Sequence, residues 1–155
     1  MSNRTRGELV AEVTAAAQRH HAAYVLFNQA MAEHLGLHPT DLQCVSLLAL
    51  EPGPRTTGEI AELTGLTSGS ATRLVDRLQK AGLAERHPDT HDRRKMLVTL
   101  AAGRSPEIEA AWDAPGEAFG RALDDFTDEE LTVIERYLRR TTDVGTEQTA
   151  RLRDG

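Results

Sequence analysis

Two helix starts and two glycine stops follow closely on one another in the middle of this chain, and they constrain its fold more than any other feature. Thr56 and Glu59 form the Thr-x-x-Glu pattern of a helix N-terminus, in which hydroxyl and carboxylate accept hydrogen bonds from the first backbone N–H groups. Gly65 ends this short helix, Thr67 is placed to cap a second one, and Gly82 stops it. The sequence therefore predicts two helices joined by a tight turn that needs the conformational freedom of glycine.

The second of these helices, predicted at about residues 67–81, has an apolar face and a polar face. The apolar face comprises Ala71, Leu74, Val75 and Leu78. The opposite face comprises Ser68, Gly69, Ser70, Thr72, Arg73, Arg77 and Lys80. Small residues at the start let a helix backbone approach base edges in the DNA major groove, and the long basic residues that follow reach phosphates or guanine. This face is typical of a helix that reads double-stranded DNA.

A β-hairpin with a charged tip is predicted directly after the helix pair, at about residues 83–100. Two extended runs flank a polar, turn-forming segment, and the second run alternates between its two faces. Arg93 and Arg94 lie in the tip and Lys95 begins the second run. Guanidinium groups are attracted by the concentrated negative potential of a narrow minor groove. The hairpin is therefore predicted to be a wing that contacts DNA beside the helix.

Charge is distributed unevenly along the chain. The whole sequence of 155 residues has a net charge of −6, which by itself argues against a nucleic acid partner. Residues 66–95, however, carry seven basic and four acidic side chains, a net charge of +3, so the remainder carries −9. Because salt screens electrostatic fields beyond about 8 Å, a local basic patch still attracts DNA, while the acidic remainder limits non-specific binding.

Long helices are predicted on both sides of this middle segment. On the N-terminal side, residues 8–36 form one helix that Gly36 and Pro39 end, and a second helix covers about 41–50. The apolar stripe of the first helix is longer than a small DNA-reading core can cover. Together with the C-terminal stripes, it predicts a homodimer.

The C-terminal side is predicted to hold two further helices. Ser105 and Pro106 begin the first, since a capping residue followed by proline at the first helical position is a favourable start. Pro115-Gly116 is expected to break or kink that helix, because an internal proline loses a hydrogen bond and clashes with the preceding turn. A second capping box, at residues 127–130, starts the last helix, which continues to about Leu152.

Three segments of the chain resemble the MarR family of bacterial transcriptional regulators: TGEIAELTGLT at 57–67, LVDRLQKAGL at 74–83 and DRRK at 92–95. The resemblance implies a mainly α fold with a small β-hairpin wing, in which a winged helix-turn-helix is flanked by N- and C-terminal dimerisation helices. It also implies an obligate homodimer whose two winged helices each bind one half of a palindromic DNA operator.

The resemblance also assigns domains and DNA-binding residues. Residues 1–36 are the N-terminal dimerisation helix, 37–102 the winged helix-turn-helix DNA-binding domain, and 103–155 the C-terminal dimerisation helices. The Asp-x-Arg signature of the family's wing falls on Asp92 and Arg94, which makes Arg94 the wing arginine and Asp92 its orienting partner. The predicted DNA-binding residues are Ser68, Ser70, Thr72, Arg73 and Arg77 of the recognition helix, with Arg93, Arg94 and Lys95 of the wing.

The predicted function is that of a sequence-specific DNA-binding transcriptional repressor, possessing no cofactor and no enzymatic activity. The family often binds aromatic acids, so His20, Tyr24 and Trp112 are candidates for contacting a small effector that releases the DNA. The longest strictly apolar run has four residues and the N-terminus lacks the apolar segment of a signal peptide, so we expect a cytoplasmic protein that does not enter a membrane.

Other readings of the sequence stay open at this point. A winged helix also serves as a protein–protein adaptor, although an adaptor does not need the Arg- and Ser-rich helix face. Some relatives respond to oxidants or metals, but nothing basic flanks Cys44 to lower its pKa, which favours core filler, and the histidines of the first helix lack a second cluster, so no metal site is predicted. An enzyme would need a nucleophile–base set or a phosphate loop, and neither pattern occurs.

Overall fold

The computed structural model describes residues 4–103 and 106–154. Its elements, in chain order, are α1 (Arg6–Leu35), α2 (Pro39–Leu50), β1 (Arg55–Thr56), α3 (Thr57–Thr64), α4 (Ser68–Lys80), β2 (Ala84–Pro88), β3 (Met96–Leu100), α5 (Pro106–Arg121) and α6 (Asp128–Asp154). The fold is therefore mainly α with one small antiparallel sheet, as the sequence predicts.

The chain divides into two compact units, Met1–Ala111 and Trp112–Gly155. The first contains the helices and the sheet of the predicted DNA-reading segment together with α1. The second contains the end of α5 and all of α6. The boundary lies inside α5 rather than at the hairpin.

Local capping fixes the ends of the N-terminal helices. Thr5 and Glu8 form a capping box at the start of α1, and Gly36, in the left-handed conformation with φ 66°, ends that helix. His38 then caps α2 through its ring nitrogen, which accepts a hydrogen bond from the backbone of Thr40. Pro39 is the first residue of α2, because its fixed φ suits the first helical turn and its missing N–H leaves no bond unmade there. The predicted start of α2, near residue 41, is thus late by two residues.

One hydrophobic core lies among α2, α3, α4 and the sheet. Its fully buried side chains are contributed by every one of these elements: Cys44, Ile60, Leu74, Val75, Leu78, Leu83 and Val98 have no exposed surface. Burying a leucine, isoleucine or valine side chain contributes about 1.5–3 kcal/mol. This core therefore fixes how the helix pair is presented, and it includes Leu74, Val75 and Leu78 of the predicted apolar face of α4, whose fourth member, Ala71, is also buried.

The sheet has three strands in the order β1-β3-β2, rather than the two that the sequence predicts. β2 and β3 pair antiparallel as the arms of the hairpin, with Ala84 opposite Leu100. The additional strand, β1, pairs with β3 through Arg55 opposite Val98. It has two residues, too few to show the alternation that identifies a strand in a sequence.

Proline does not interrupt α5, which runs as one helix of 16 residues with Pro115 inside it. The predicted break is wrong, because a single proline removes one backbone hydrogen bond and the helix continues on either side of it. A bend at this point stays a prediction. The predicted cap at Ser105 lies outside the described residues.

The last helix begins as predicted. The Glu130 carboxylate accepts a hydrogen bond from the backbone of Thr127 at 2.9 Å, and the Thr127 hydroxyl accepts one from the backbone of Glu130 at 3.3 Å. α6 then continues without interruption past Gly145 to Asp154, so the predicted extent of this helix is also right.

Candidate nucleic-acid interface

A tight turn sets the angle between α3 and α4. Gly65 has φ 71°, a left-handed conformation that glycine adopts without strain, and the backbone N–H of Leu66 donates to the carbonyl of Ala61 at 3.0 Å. Thr67 then caps α4 by accepting a hydrogen bond from the backbone of Ser70. Because both the stop and the start are local hydrogen-bonding motifs, the predicted helix pair forms at the predicted residues.

The outward face of α4 begins with small polar residues. Ser68 and Thr72 are exposed, and the Thr72 hydroxyl donates to the backbone carbonyl of Ser68 at 2.9 Å. Ser70 is half-buried and its hydroxyl lies 3.1 Å from that of Thr67 and 3.5 Å from the guanidinium of Arg73. Ser70 and Arg73 therefore share one face, as their spacing predicts, and the Arg73 side chain is exposed.

Arg77 is held by a partner that the sequence analysis did not foresee. Its Nε and one terminal nitrogen donate to the two carboxylate oxygens of Asp41, at 2.7 and 2.6 Å. This bidentate pair raises the pKa of the Arg77 guanidinium, chiefly through the hydrogen bonds to Asp41. The Asp41 side chain is 4% exposed, so the pair joins a buried carboxylate of α2 to a half-exposed arginine of α4.

Arg86 makes a similar attachment between the wing and the recognition helix. From β2, its guanidinium donates at 2.7 Å to Gln79 and lies at 2.7 Å from the carboxylate of Asp76, both on α4. Arg86 is one of the seven basic residues in the segment 66–95, but its charge is paired with Asp76 within the protein. Two of the seven basic residues of that segment, Arg77 and Arg86, thus serve to position the elements that carry the others.

Two aspartates shape the wing tip between β2 and β3. The Asp89 carboxylate accepts a hydrogen bond from the backbone of His91 at 2.8 Å, and this bond lowers the pKa of Asp89 below its ordinary value. The Asp92 carboxylate accepts one from the backbone of Arg94 at 3.1 Å, and the Asp92 carbonyl accepts another from Lys95. These are Asx turns, in which a short acidic side chain replaces a backbone acceptor.

The contact between Asp92 and Arg94 differs in kind from the expected one. The resemblance assigns Asp92 to orienting Arg94, and the structure brings the two together through the Arg94 backbone N–H rather than through its guanidinium. The side chains of Arg93, Arg94 and Lys95 are exposed, and across residues 4–103 and 106–154 no ion pair engages Arg93 or Arg94. The tip thus points cations outward while its acidic groups accept backbone hydrogen bonds.

The three residues predicted to contact an effector are divided between the two compact units, and their joint role stays a prediction. His20 and Tyr24 are neighbours, with ring centroids 6.4 Å apart on α1. Trp112 belongs to the other compact unit. Tyr24 lines a groove of about 400 Å³ between α1 and α2, and His21 rather than His20 lines it as well, because adjacent helical residues point about 100° apart.

The groove between α1 and α2 is lined mostly by uncharged side chains. Its walls are His21, Tyr24, Val25, Asn28, Gln29, Pro39, Thr40, Gln43, Ser46, Leu47 and Leu50. Amide and hydroxyl groups lie beside apolar ones, a lining that suits a small amphipathic molecule with hydrogen-bonding groups. Sequence patterns do not identify such a groove, because its two walls belong to different helices.

Other chemistry has little support among the described residues. Cys44 is fully buried in the core, and burial, followed by the negative charge of Asp41, raises the pKa of its thiol to about 11. This matches the interpretation of Cys44 as core filler. In the described parts of the chain, no three His, Cys, Asp or Glu side chains are grouped to hold a metal ion. Nor is any described helix long and apolar enough to cross a membrane.

Comparison with known sequences places the fold and the site in context. The sequence profile of the MarR family matches residues 35–95, which include both helices of the turn and most of the hairpin. A Bacillus subtilis protein described as an uncharacterized HTH-type transcriptional regulator, YcgE, is 39% identical over 129 residues, 83% of this chain and 83% of its own. The HTH-type transcriptional repressor NicR of Pseudomonas putida is 32% identical over 72 residues, 46% of each chain.

Solved structures agree with these sequence relationships. The structure of a MarR family protein from Bacillus stearothermophilus superimposes with a TM-score of 0.65 and 27% identity, covering 92% of this chain and 99% of that one. The apo form of MarR from Escherichia coli superimposes with a TM-score of 0.55 at 20% identity, covering 91% of this chain and 98% of that one, which supports the fold.

Proposed function

The chain belongs to the MarR family of transcriptional regulators, and from this premise we propose that it binds a palindromic DNA operator as a homodimer and represses transcription there. The observation that carries the proposal is the division of labour among its basic residues. Arg77 and Arg86 are paired with carboxylates of the protein, whereas Arg73, Arg93 and Arg94 point outward from α4 and the wing tip. A surface that positions unpaired guanidinium groups on rigid elements suits a polyanion.

In this proposal, the residues at the exposed start of α4 contact the DNA bases. Ser68, Ser70 and Thr72 are small enough to let the helix enter a major groove about 12 Å wide, and Arg73 is long enough to donate two hydrogen bonds to guanine. The buried face of α4 is fully engaged in the core, so the helix is presented rigidly. Rigid presentation favours specificity because the side chains meet the bases without prior ordering.

The wing contributes affinity more than base reading. Arg94 and its neighbours Arg93 and Lys95 stand on a tip whose backbone is fixed by Asp89 and Asp92. Contacts from such a tip to phosphates or to the minor groove strengthen binding to many sequences and increase its salt dependence.

A homodimer is supported by apolar surface that one chain leaves exposed. Regulators of this family bind DNA and act as dimers. In α1, Val10, Val25 and Leu26 are at least half exposed, and in α6, Val133, Leu138 and Val144 are too. Exposed apolar patches of this kind mark interaction surfaces. Two copies related by a two-fold axis then present two α4 helices to the two halves of a palindrome.

We also propose that a small effector releases the regulator from DNA. The groove between α1 and α2, with Tyr24 in its wall and His20 beside it, supports binding of a small aromatic molecule. The name of the relative NicR, a transcriptional repressor, supports repression rather than activation. A thermal-shift screen of phenolic and aromatic acids tests this part, because a ligand that binds only the folded state raises the apparent stability.

The central experiment selects the preferred DNA duplex from a random pool and then compares single substitutions on it. We expect Arg73→Ala to lose about 1–3 kcal/mol on the selected site and to relax preference at a few base positions. We expect Arg94→Ala to weaken selected and scrambled duplexes alike and to reduce the salt slope by about 0.9 per lost phosphate contact.

Two controls make the comparison decisive. Arg151→Ala removes the same charge near the end of α6 and is expected to leave the salt slope unchanged. Asp92→Ala is expected to reproduce part of the Arg94→Ala loss, although it removes a negative charge, because Asp92 fixes the backbone of Arg94. Tighter binding by Asp92→Ala would instead indicate simple charge repulsion, and a pool that yields no preferred duplex would contradict the proposed function.

A further inference from the structure

The ion pair between Asp41 and Arg77 connects two elements that are distant in sequence. The residues are 36 positions apart, and both nitrogens that the guanidinium offers on this side meet both carboxylate oxygens. Asp41 itself is 3% exposed. A buried carboxylate needs a counter-charge and hydrogen bonds to be tolerated, and Arg77 supplies both.

The α2 end of this contact is itself anchored. His38 caps the helix at its ring nitrogen, and the backbone N–H of Asp41 donates to the His38 carbonyl at 2.9 Å. The side-chain amide of Asn28, on α1, donates to the carbonyl of Pro39 at 3.2 Å. Asp41 therefore projects from a turn that hydrogen bonds hold on both sides, and it provides a fixed point for α4.

Because Arg77 lies on α4, its contact with Asp41 also affects the position of Arg73 on the same helix. Arg73 lies one helical turn before Arg77, so any rotation or shift of α4 that follows loss of the Asp41 contact also displaces Arg73. A bidentate guanidinium–carboxylate pair fixes direction as well as distance. If Arg77 instead bound a DNA phosphate, it would leave Asp41 buried without its counter-charge, which is unfavourable.

We propose that Asp41 is a positioning residue for DNA recognition, which acts by clamping Arg77, and that Arg77 holds α4 in register rather than contacting phosphate. This inference rests on the proposed function, since it concerns how α4 meets DNA. It assigns a role to a residue of α2 that does not lie on the outward face of α4 or in the wing. It also removes Arg77 from the cations that set the salt dependence of binding.

The two roles for Arg77 predict opposite effects. A clamp predicts that Asp41→Asn weakens binding to the selected duplex roughly tenfold, with little change on a scrambled duplex or in the salt slope. A phosphate contact predicts that the same substitution frees the Arg77 charge and strengthens binding. Arg77→Lys separates the roles again, because lysine keeps the charge but lacks the planar fork that meets both carboxylate oxygens.

The experiment is a fluorescence-anisotropy titration of the full chain on the selected and scrambled duplexes across a salt series. We expect Asp41→Asn, Arg77→Lys and the double variant to lose similar affinity on the selected duplex, so that the two substitutions are not additive. Asp41→Glu, which retains the carboxylate, is expected to recover part of the loss. Asp143→Asn, which removes an exposed acidic group of α6 far along the chain from α4 and the wing, is the control for net charge.

Each outcome decides between the alternatives. Tighter binding by Asp41→Asn, or unchanged affinity and specificity for Arg77→Lys, would overturn the clamp. Arg77→Lys changes a half-exposed side chain, so it remains informative if Asp41→Asn unfolds the chain. Wild-type chain that binds neither duplex contradicts the proposed function and the clamp with it, whereas wild-type binding that no variant alters contradicts the clamp alone.

Discussion

Two helices of this chain, α4 and α6, carry apolar residues at helical spacing, but α4 buries them and α6 leaves several of them exposed. In α4, Ala71, Leu74, Val75 and Leu78 are all fully buried. In α6, large apolar side chains stay exposed: Val133 is 52% exposed, Leu138 50% and Leu152 83%. Both helices are amphipathic, so pattern alone does not explain the difference.

The difference lies in what each helix has to pack against. α4 is surrounded by α2, α3 and the sheet, all contributed by the same unit of the same chain. α6 belongs to a unit that also contains the end of α5, and none of the residues 112–153, whose burial is described, is buried. An amphipathic helix without a partner exposes the surface that it would bury against one. The DNA-reading core is thus complete within one chain, whereas the terminal helices leave exposed the apolar surface that the proposed homodimer would bury.

The largest expected effect concerns the complete core. Leu78→Ala removes a side chain with no exposed surface, and we expect it to lower the free energy of unfolding by about 2–5 kcal/mol, since the cavity it leaves does not fully collapse. Leu50→Ala, at a position that is 78% exposed, is the matched control and is expected to cost less than about 1 kcal/mol. Urea denaturation at one fixed protein concentration measures both. Equal losses would remove the distinction between the two classes of apolar residue.

A second prediction concerns the open stripe of α6. Leu138→Glu places a charge in the surface that a dimer would bury, and we expect the dimer dissociation constant to rise roughly a hundredfold, because an unpaired buried charge is unfavourable. Arg139→Glu introduces the same carboxylate one residue later, on the polar side of the helix that carries neither Leu138 nor Val133 and Val144, and should have a small effect. Analytical ultracentrifugation measures the association. A monomeric wild-type chain at micromolar concentration would contradict the homodimer itself.

The smallest effect uses Cys44 to report opening of the core. Burial raises the pKa of its thiol to about 11, so the neutral form is favoured in the folded state. The corresponding stability is fully present below about pH 9 and is lost as the pH rises from there towards 11. At pH 8 we expect a thiol reagent to modify the folded chain much more slowly than the unfolded one.

Labelling of Cys44 also distinguishes the two regions. Leu78→Ala is expected to speed modification because it destabilises the core that contains Cys44. Leu138→Glu is expected to leave the rate unchanged, since it alters only the association of terminal helices. Faster labelling in both variants would show that the core depends on the dimer, and the comparison between α4 and α6 would then need a different explanation.

Residues that act locally made much of the fold predictable. Thr56, Thr67 and Thr127 cap helices where the sequence predicts, because a capping hydroxyl bonds a backbone group three residues away. The apolar face of α4 was predictable for a similar reason, since its members repeat within two helical turns. His38 and Thr5 also cap helices but were not anticipated: one is an unusual capping residue and the other precedes a helix start that the apolar pattern leaves vague.

Contacts between distant residues were not predictable in this way. β1 exists only because Arg55 and Thr56 meet β3, and a pair of residues has no period of its own. The Asp-x-Arg signature points to Asp92, yet the atom of Arg94 that it contacts is a backbone nitrogen, which residue types alone do not specify. Pro115 differs from these examples, because the local sequence strongly indicates a helix break there, yet α5 continues through it.

The sequence by itself determined where most of the helices start and stop and which face of α4 is apolar. It also determined that basic residues are concentrated in the segment from α4 to the wing tip. These follow from hydrogen bonds and spacings that span a few residues and need no knowledge of the rest of the chain. Only the tertiary structure decided what each cation does. Arg77 and Arg73 are both arginines one turn apart on α4, and the first is bound to Asp41 because folding brings α2 beside it. The charge of a side chain is a property of the sequence, but whether that charge faces the protein or the solvent depends on which element packs against it.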